Sequence, residues 1–190
     1  MVIYQISKSR VLGSLYSLIA AFFLFSAAQA QNSPLAEEGT LEPFGNHTVL
    51  HQFGNVIFAD QPDKDTVEMY KDKDVKMVIS IRGENENAGY DERKAVEKAG
   101  MAFVQIPYMN GRAIDSDNVD QLISLLDMSE ANGTKVVLHC THSQRAGSLL
   151  GVALYKKGYS REEANRLAKE AGMTSEMITK IHNEYLDNLK

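Results

Sequence analysis

Short β-branched apolar runs alternate with helical stretches over residues 47–190, which predicts an α/β domain with a central, mostly parallel sheet of four to five strands and helices on both faces. Two observations sharpen this. The chain has 190 residues and 44% hydrophobic content, enough for one core and too short for two large ones. No glycine-rich dinucleotide fingerprint and no internal repeat interrupts the alternation.

Taken in order, Gln31 to Asn46 holds two prolines, two glycines and Glu37, Glu38 and Glu42 without an apolar period, and reads as a linker or loosely packed arm. Val56-Ile57-Phe58 is the first strand, and Asp60-Gln61-Pro62-Asp63 turns into a helix over 63–71, with Pro62 at its entrance. Val75 to Ile81 is the second strand, Tyr90 to Ala99 a helix closed by Gly100, and Met101 to Ile106 a third strand ended by Pro107. Asn118 to Ala131 carries Val119, Leu122, Ile123, Leu125 and Leu126 at helical spacing. After Asn132-Gly133, Lys135-Val136-Val137-Leu138 is the fourth strand and Ala146 to Lys157 the next helix. Helices near 161–169 and 175–189 complete the chain and cover the sheet.

Residues 1–30 stand apart. Lys8 and Arg10 precede an apolar run from Val11 to Ala28, and Ala28-Gln29-Ala30 has the small-x-small pattern of a cleavage site, so a secretory signal is expected. Ser14, Tyr16, Ser17 and Ser26 make the run a poor permanent span, so no stable membrane span is expected after cleavage. The mature chain then has 18 basic against 25 acidic residues, a net charge of −7, which argues against nucleic acid as partner. The expected location is periplasmic or secreted. There the lone Cys140 has no disulfide partner within the chain.

Cys140 also sits where a strand gives way to a helix, in His139-Cys140-Thr141-His142-Ser143-Gln144-Arg145-Ala146-Gly147. Backbone N–H groups at a helix start lack partners within the helix, and together with the helix dipole they favour an anion there. That field promotes thiol ionisation. Arg145 breaks the rule against cations in a first helical turn, and its guanidinium suits a tetrahedral oxyanion. In parallel sheets ligands bind beyond the carboxyl ends of the strands. The loops 82–89, 108–116 and 141–144 are therefore expected to meet.

In the order of these features the chain resembles the cysteine-dependent phosphatase superfamily, in particular the small dual-specificity-like bacterial phosphatases and the phosphatase-like domain of beta-lactamase-hydrolase-like proteins. Besides His139-Cys140 and Arg145, the matching elements are Ala59-Asp60-Gln61-Pro62, Val78-Ile79-Ser80-Ile81-Arg82 and Ile106-Pro107, within residues 55–173. The resemblance implies a phosphatase-like fold, an anionic phosphorylated substrate, attack by Cys140, a phosphocysteine intermediate, and no metal or organic cofactor. It makes His139 the support of the loop; Thr141, His142, Ser143 and Gln144, between Cys140 and Arg145, are the candidate substrate-binding residues, His142 without a counterpart in the family. The resemblance places the general acid in the loop after the third strand. Asp115 and Asp117 lie there, and each also suits a helix cap; Asp115 is taken as the candidate acid, with Glu84 and Glu86 as alternatives. Arg82 is a further anion-binding candidate, as is Arg112.

Four residues separate Cys140 from Arg145 where the phosphatase pattern has five. Four is the spacing typical of rhodanese-type sulfurtransferases. The glycine common in the middle of such loops is replaced by Ser143 or Gln144, which restricts inward-pointing backbone N–H groups. Two alternatives therefore stand beside the phosphatase: a sulfurtransferase carrying a persulfide on Cys140, and a non-catalytic anion or phosphoprotein binder.

Overall fold

A computed structural model of the chain describes residues 33–189, so the expected signal segment lies outside the described residues. In chain order the elements are β1 (Glu38–Gly39), β2 (Leu50–Phe53), β3 (Val56–Ala59), α1 (Lys64–Met69), β4 (Met77–Ser80), α2 (Glu92–Lys98), β5 (Ala102–Gln105), β6 (Met109–Asn110), β7 (Ala113–Ile114), α3 (Ser116–Ala131), β8 (Val136–His139), α4 (Gln144–Lys156), α5 (Arg161–Glu170) and α6 (Glu176–Asn188). Six strands form one sheet in the order β1-β2-β3-β8-β4-β5. The four expected strands are its parallel part, with β8 between β3 and β4. β1 and β2 extend it antiparallel beyond β3, giving six strands rather than four or five. They escape the sequence pattern because β1 has two residues and β2 interleaves His51 and Gln52 with Leu50 and Phe53. β6 and β7 form a separate small hairpin.

Side chains on successive residues of a strand point to opposite faces, and β8 shows the consequence. Val136, Leu138 and Cys140 join one core with Phe58, Ile79, Leu122, Leu126, Leu149 and Leu150. Val137 joins the other, with Ile57, Val78, Val67, Tyr70 and Val96. Helices α3 and α4 thus cover one face, α1 and α2 the other. Each fully buried Leu or Ile contributes roughly 2 kcal/mol through removal from water, so this central strand is anchored from both sides.

The segment expected as a linker, 31–46, is packed over its described part. Leu35, in a short 3₁₀ turn over Pro34–Ala36, is fully buried in the first core. Asn46 is tied to α1, its N–H donating to Thr66 Oγ1 and its Oδ1 accepting from Thr66 Oγ1 and the Asp63 N–H. A single buried leucine and one strand of two residues leave no period to read, which is why composition alone suggested an arm. No helix of the described residues is long and apolar enough to cross a membrane.

Candidate active site

Five of the six described α-helices begin with a side-chain cap. Asp63, Asp91, Asp115, Ser160 and Ser175 accept from backbone N–H groups of α1, α2, α3, α5 and α6. Helix α4 differs: its first flanking residue, Ser143, is left-handed (φ 58°) and makes no side-chain cap. The first N–H groups of α4 are thus left without a side-chain partner of the usual kind. Cys140 lies four residues before the first residue of α4, just past the carboxyl end of β8, and is 1% exposed.

Arg145 stands in the first turn of α4, where its charge opposes the helix dipole. Glu86, from the loop after β4, compensates it. Arg145 Nη1 donates to Glu86 Oε1 at 2.5 Å and Nη2 to Glu86 Oε2 at 2.8 Å, a two-pronged pair. Thr141 Oγ1 accepts from Arg145 Nη2 at 3.2 Å and donates to Glu86 Oε2 at 3.3 Å. The Gly83 N–H donates to Glu86 Oε1 at 2.7 Å. The Arg145 hydrogen bonds outweigh burial and bring the Glu86 carboxyl down to about 2. The Arg145 guanidinium is correspondingly held up, by Glu86 first and by the neighbouring Cys140 as well. An ionised Glu86 cannot donate a proton, which removes it as an alternative acid in this arrangement.

Beneath this pair lies a buried polar layer. Arg82 is 5% exposed and donates to Gln61 Oε1 and to the Asn87 carbonyl, with Nε 3.5 Å from Glu86 Oε2. Gln61 Nε2 donates to Glu92 Oε1 at 2.8 Å, and that oxygen lies 3.1 Å from His139 Nε2, without hydrogen-bond alignment. The Gln61 N–H donates to the Thr141 carbonyl, and Asp60 bridges His142 through the backbone. Asp60 is fixed in turn by Thr48 and by His47 Nδ1 at 2.7 Å, while His47 Nε2 meets the Tyr70 hydroxyl at 2.8 Å. Burial raises the Asp60 carboxyl, but the hydrogen bonds from Thr48 and His47 prevail and lower it. Most of its polar groups are hydrogen-bonded to one another, which offsets the cost of burying them.

Two of the three expected loops meet at Cys140. The 82–89 loop reaches the 141–144 loop through Glu86, and the Asp60-Gln61-Pro62 turn joins them from the other side. The 108–116 loop approaches through Tyr108, whose hydroxyl is 2.8 Å from Ser148 Oγ on α4. The Asp115 carboxylate accepts from the Asn118 N–H at 3.0 Å as the cap of α3, and no hydrogen bond or ion pair joins it to residues 140–145 among the described residues. Arg82 is a buried link between loops rather than an open anion contact. His142 is exposed, and the fully buried His139 faces Glu92. Ser143 takes the glycine-like conformation, at a cost of about 1 kcal/mol for a residue with a Cβ. Sequence reasoning missed the roles of Gln61, Glu92 and Glu86 as partners. The available signal was topological: Gln61 and Glu86 lie in the segments that follow the parallel strands flanking β8, and Glu92 opens the helix after the second of these. Among the described residues no group of three or more His, Cys, Asp or Glu is placed to hold a metal ion.

Comparisons with known proteins agree with this geometry. No curated protein matches the chain. Among solved structures it is similar to TpbA of P. aeruginosa, at 18% identity and TM-score 0.61, covering 80% of this chain and 90% of that one. A cysteine-to-serine form of TpbA in complex with phosphotyrosine aligns at 19% identity and TM-score 0.60, covering 82% and 91%. The kinase associated phosphatase KAP aligns at 14% identity and TM-score 0.64, covering 78% and 98%. These likenesses establish the fold. The model of one family matches residues 55–159, more than half the chain, from the residue before β3 to just past α4. The chain belongs to that family, the DSP-PTPase phosphatases of polymorphic toxin systems.

Proposed function

We propose that the protein hydrolyses phosphomonoesters through a phosphocysteine intermediate on Cys140, in the periplasm or outside the cell. The observation that carries this is the placement of Cys140 at the end of β8 against an uncapped helix start, with Arg145 fixed over the same loop by Glu86. The loop amides and the guanidinium bind the phosphoryl oxygens. The thiolate attacks phosphorus, the ester oxygen leaves with a proton, and water then cleaves the phosphocysteine, releasing phosphate and restoring the thiol. Asp115 is the proposed proton donor, and its service requires release from the Asn118 N–H. The phosphotyrosine complex of TpbA supports an aryl phosphate as the first substrate to try. The periplasmic or secreted location rests on the pattern of residues 1–30.

The test is phosphate release from an aryl phosphate by reduced, signal-free protein and its Cys140→Ser variant. Cysteine-dependent release is expected, with Asp115→Asn lowering it by about 10²-fold if Asp115 is the acid. The four-residue spacing between Cys140 and Arg145 favours one second reading, sulfur transfer. Cyanide-dependent thiocyanate formation from thiosulfate, without phosphate release, would replace the phosphatase reading with that one. A folded protein that binds phosphate and is silent in both assays would be a binder.

A further inference from the structure

The loop that holds Cys140 and Arg145 is gripped by a part of the chain lying outside the family match. Gln144, the first residue of α4, has both ends of its amide engaged by the turn between α5 and α6. Its Oε1 accepts from the Thr174 and Ser175 N–H groups, each at 2.7 Å, and its Nε2 donates to Thr174 Oγ1 at 2.9 Å. Ser143 beside it donates from Oγ to the Ala171 carbonyl at 2.9 Å and is fully buried. The approach is close on both sides. A Cβ on Gly172 would lie 2.9 Å from Ser143 Cβ, and one on Gly147 would lie 2.5 Å from the Ala168 carbonyl oxygen and 2.7 Å from the Met173 nitrogen. Residues 168–175 therefore fit against the start of α4 with no room for a side chain at either glycine.

Ser143 is one of two described non-glycine residues with positive φ, and it sits in the shortened loop. A left-handed residue there turns the chain from the strand direction into the helix, and it sets where the following N–H groups point. Glycine adopts that conformation without strain; serine needs an external hold. We propose that Gln144 and Ser143 are positioning residues, and that the 171–175 turn braces them so that the four-residue loop presents its N–H groups to a tetrahedral oxyanion without a glycine. The brace acts through the conformation of residue 143. It touches neither substrate nor sulfur. The proposal rests on the reading of residues 140–145 as an oxyanion cradle.

Tungstate, a tetrahedral oxyanion that needs no turnover, is the probe, with its affinity for the full mature chain measured by calorimetry. Gln144→Leu, which can make none of the three hydrogen bonds, is expected to weaken tungstate about tenfold and to lower kcat on an aryl phosphate by a similar factor. Thr174→Val, which removes one of the three, is expected to cost about threefold and serves if Gln144→Leu does not fold. The decisive comparison places each change in a Ser143→Gly background. There the brace has less to hold, and the loss is expected to shrink to twofold or less, a coupling that a purely structural role would not produce. An equal loss in both backgrounds, or tungstate affinity within twofold of wild type in both single variants, overturns the brace. Wild-type protein that fails to bind tungstate overturns the cradle reading itself, and tungstate binding without phosphate release separates the brace from the phosphatase assignment.

Discussion

Arg145 has two neighbours of different kind within reach, the Cys140 thiol and the Glu86 carboxylate that fixes it. A two-pronged arginine–carboxylate pair sets the plane of the guanidinium as well as its position, so Glu86 contributes orientation more than charge. Glu86→Gln keeps the shape but loses one strong acceptor, and is expected to lower kcat/KM on an aryl phosphate about tenfold through misalignment of Arg145. Because the Glu86 carboxyl lies at about 2, it stays ionised across any practical assay range. The pH–rate profile between pH 4 and 8 should therefore keep its shape in Glu86→Gln while its height falls; a lost acidic limb would mean that Glu86 itself exchanges protons during turnover.

At the scale of elements, α4 is the piece on which the site depends, and its packing is unusually bare. Glycine at 147 lets the helix lie directly on the backbone of residues 168–173. Gly147→Ala would force a methyl group into backbone that cannot yield as a flexible side chain would. Destabilisation of about 2 kcal/mol is expected, a fall in Tm of roughly 6 °C, measured by thermal unfolding. The same substitution shifts the start of α4, so oxyanion affinity should fall even at temperatures where the variant is folded. Gly151 is similarly confined, with Ala168 Cβ and His182 Cε1 both 2.8 Å from a Cβ placed there.

For the whole molecule, the C-terminal helices are joined to the rest through a buried polar chain. Tyr108 meets Ser148, Ser148 Oγ lies 3.0 Å from His182 Nδ1, and His182 Nε2 lies 2.9 Å from Asn165 Oδ1. Burial, followed by the nearby Arg161 charge, lowers the His182 imidazole to about 4. The folded protein thus keeps His182 neutral where the unfolded chain, with an ordinary histidine near 6.5, takes up a proton. Stability from this residue is present above about pH 6.5 and is lost as pH falls toward 4, by roughly 3 kcal/mol in total. Urea unfolding at pH 7.0, 5.5 and 4.5 should show this decline. His182→Gln should flatten it, while lowering stability at pH 7 through the altered hydrogen bonds.

The alternation of strands and helices, the four parallel strands and the strand–loop–helix around Cys140 were legible because each rests on local signals: β-branched runs, period-3.6 apolar residues, and a helix cap at Asp115. So was the placement of Cys140 and Arg145 at one strand-to-helix junction, a lone thiol and a cation in a first helical turn. Short elements gave no period, and so Leu35 and β1 passed for a linker and β2 went unread. The partners of the site were beyond sequence altogether. Glu86 is 59 residues from Arg145, Thr174 is 30 from Gln144, and Ala171 is 28 from Ser143. Nothing local distinguishes Glu86 from Glu84, or Gln144 from any surface glutamine. The parallel crossovers bring the loop after β4 beside the loop after β8, and the packing of α5 on α4 brings the 171–175 turn beneath Ser143. Chemistry-bearing residues announce themselves by type and local context, whereas their positioning partners are chosen by chain topology, and only the folded chain decides which carboxylate or amide arrives.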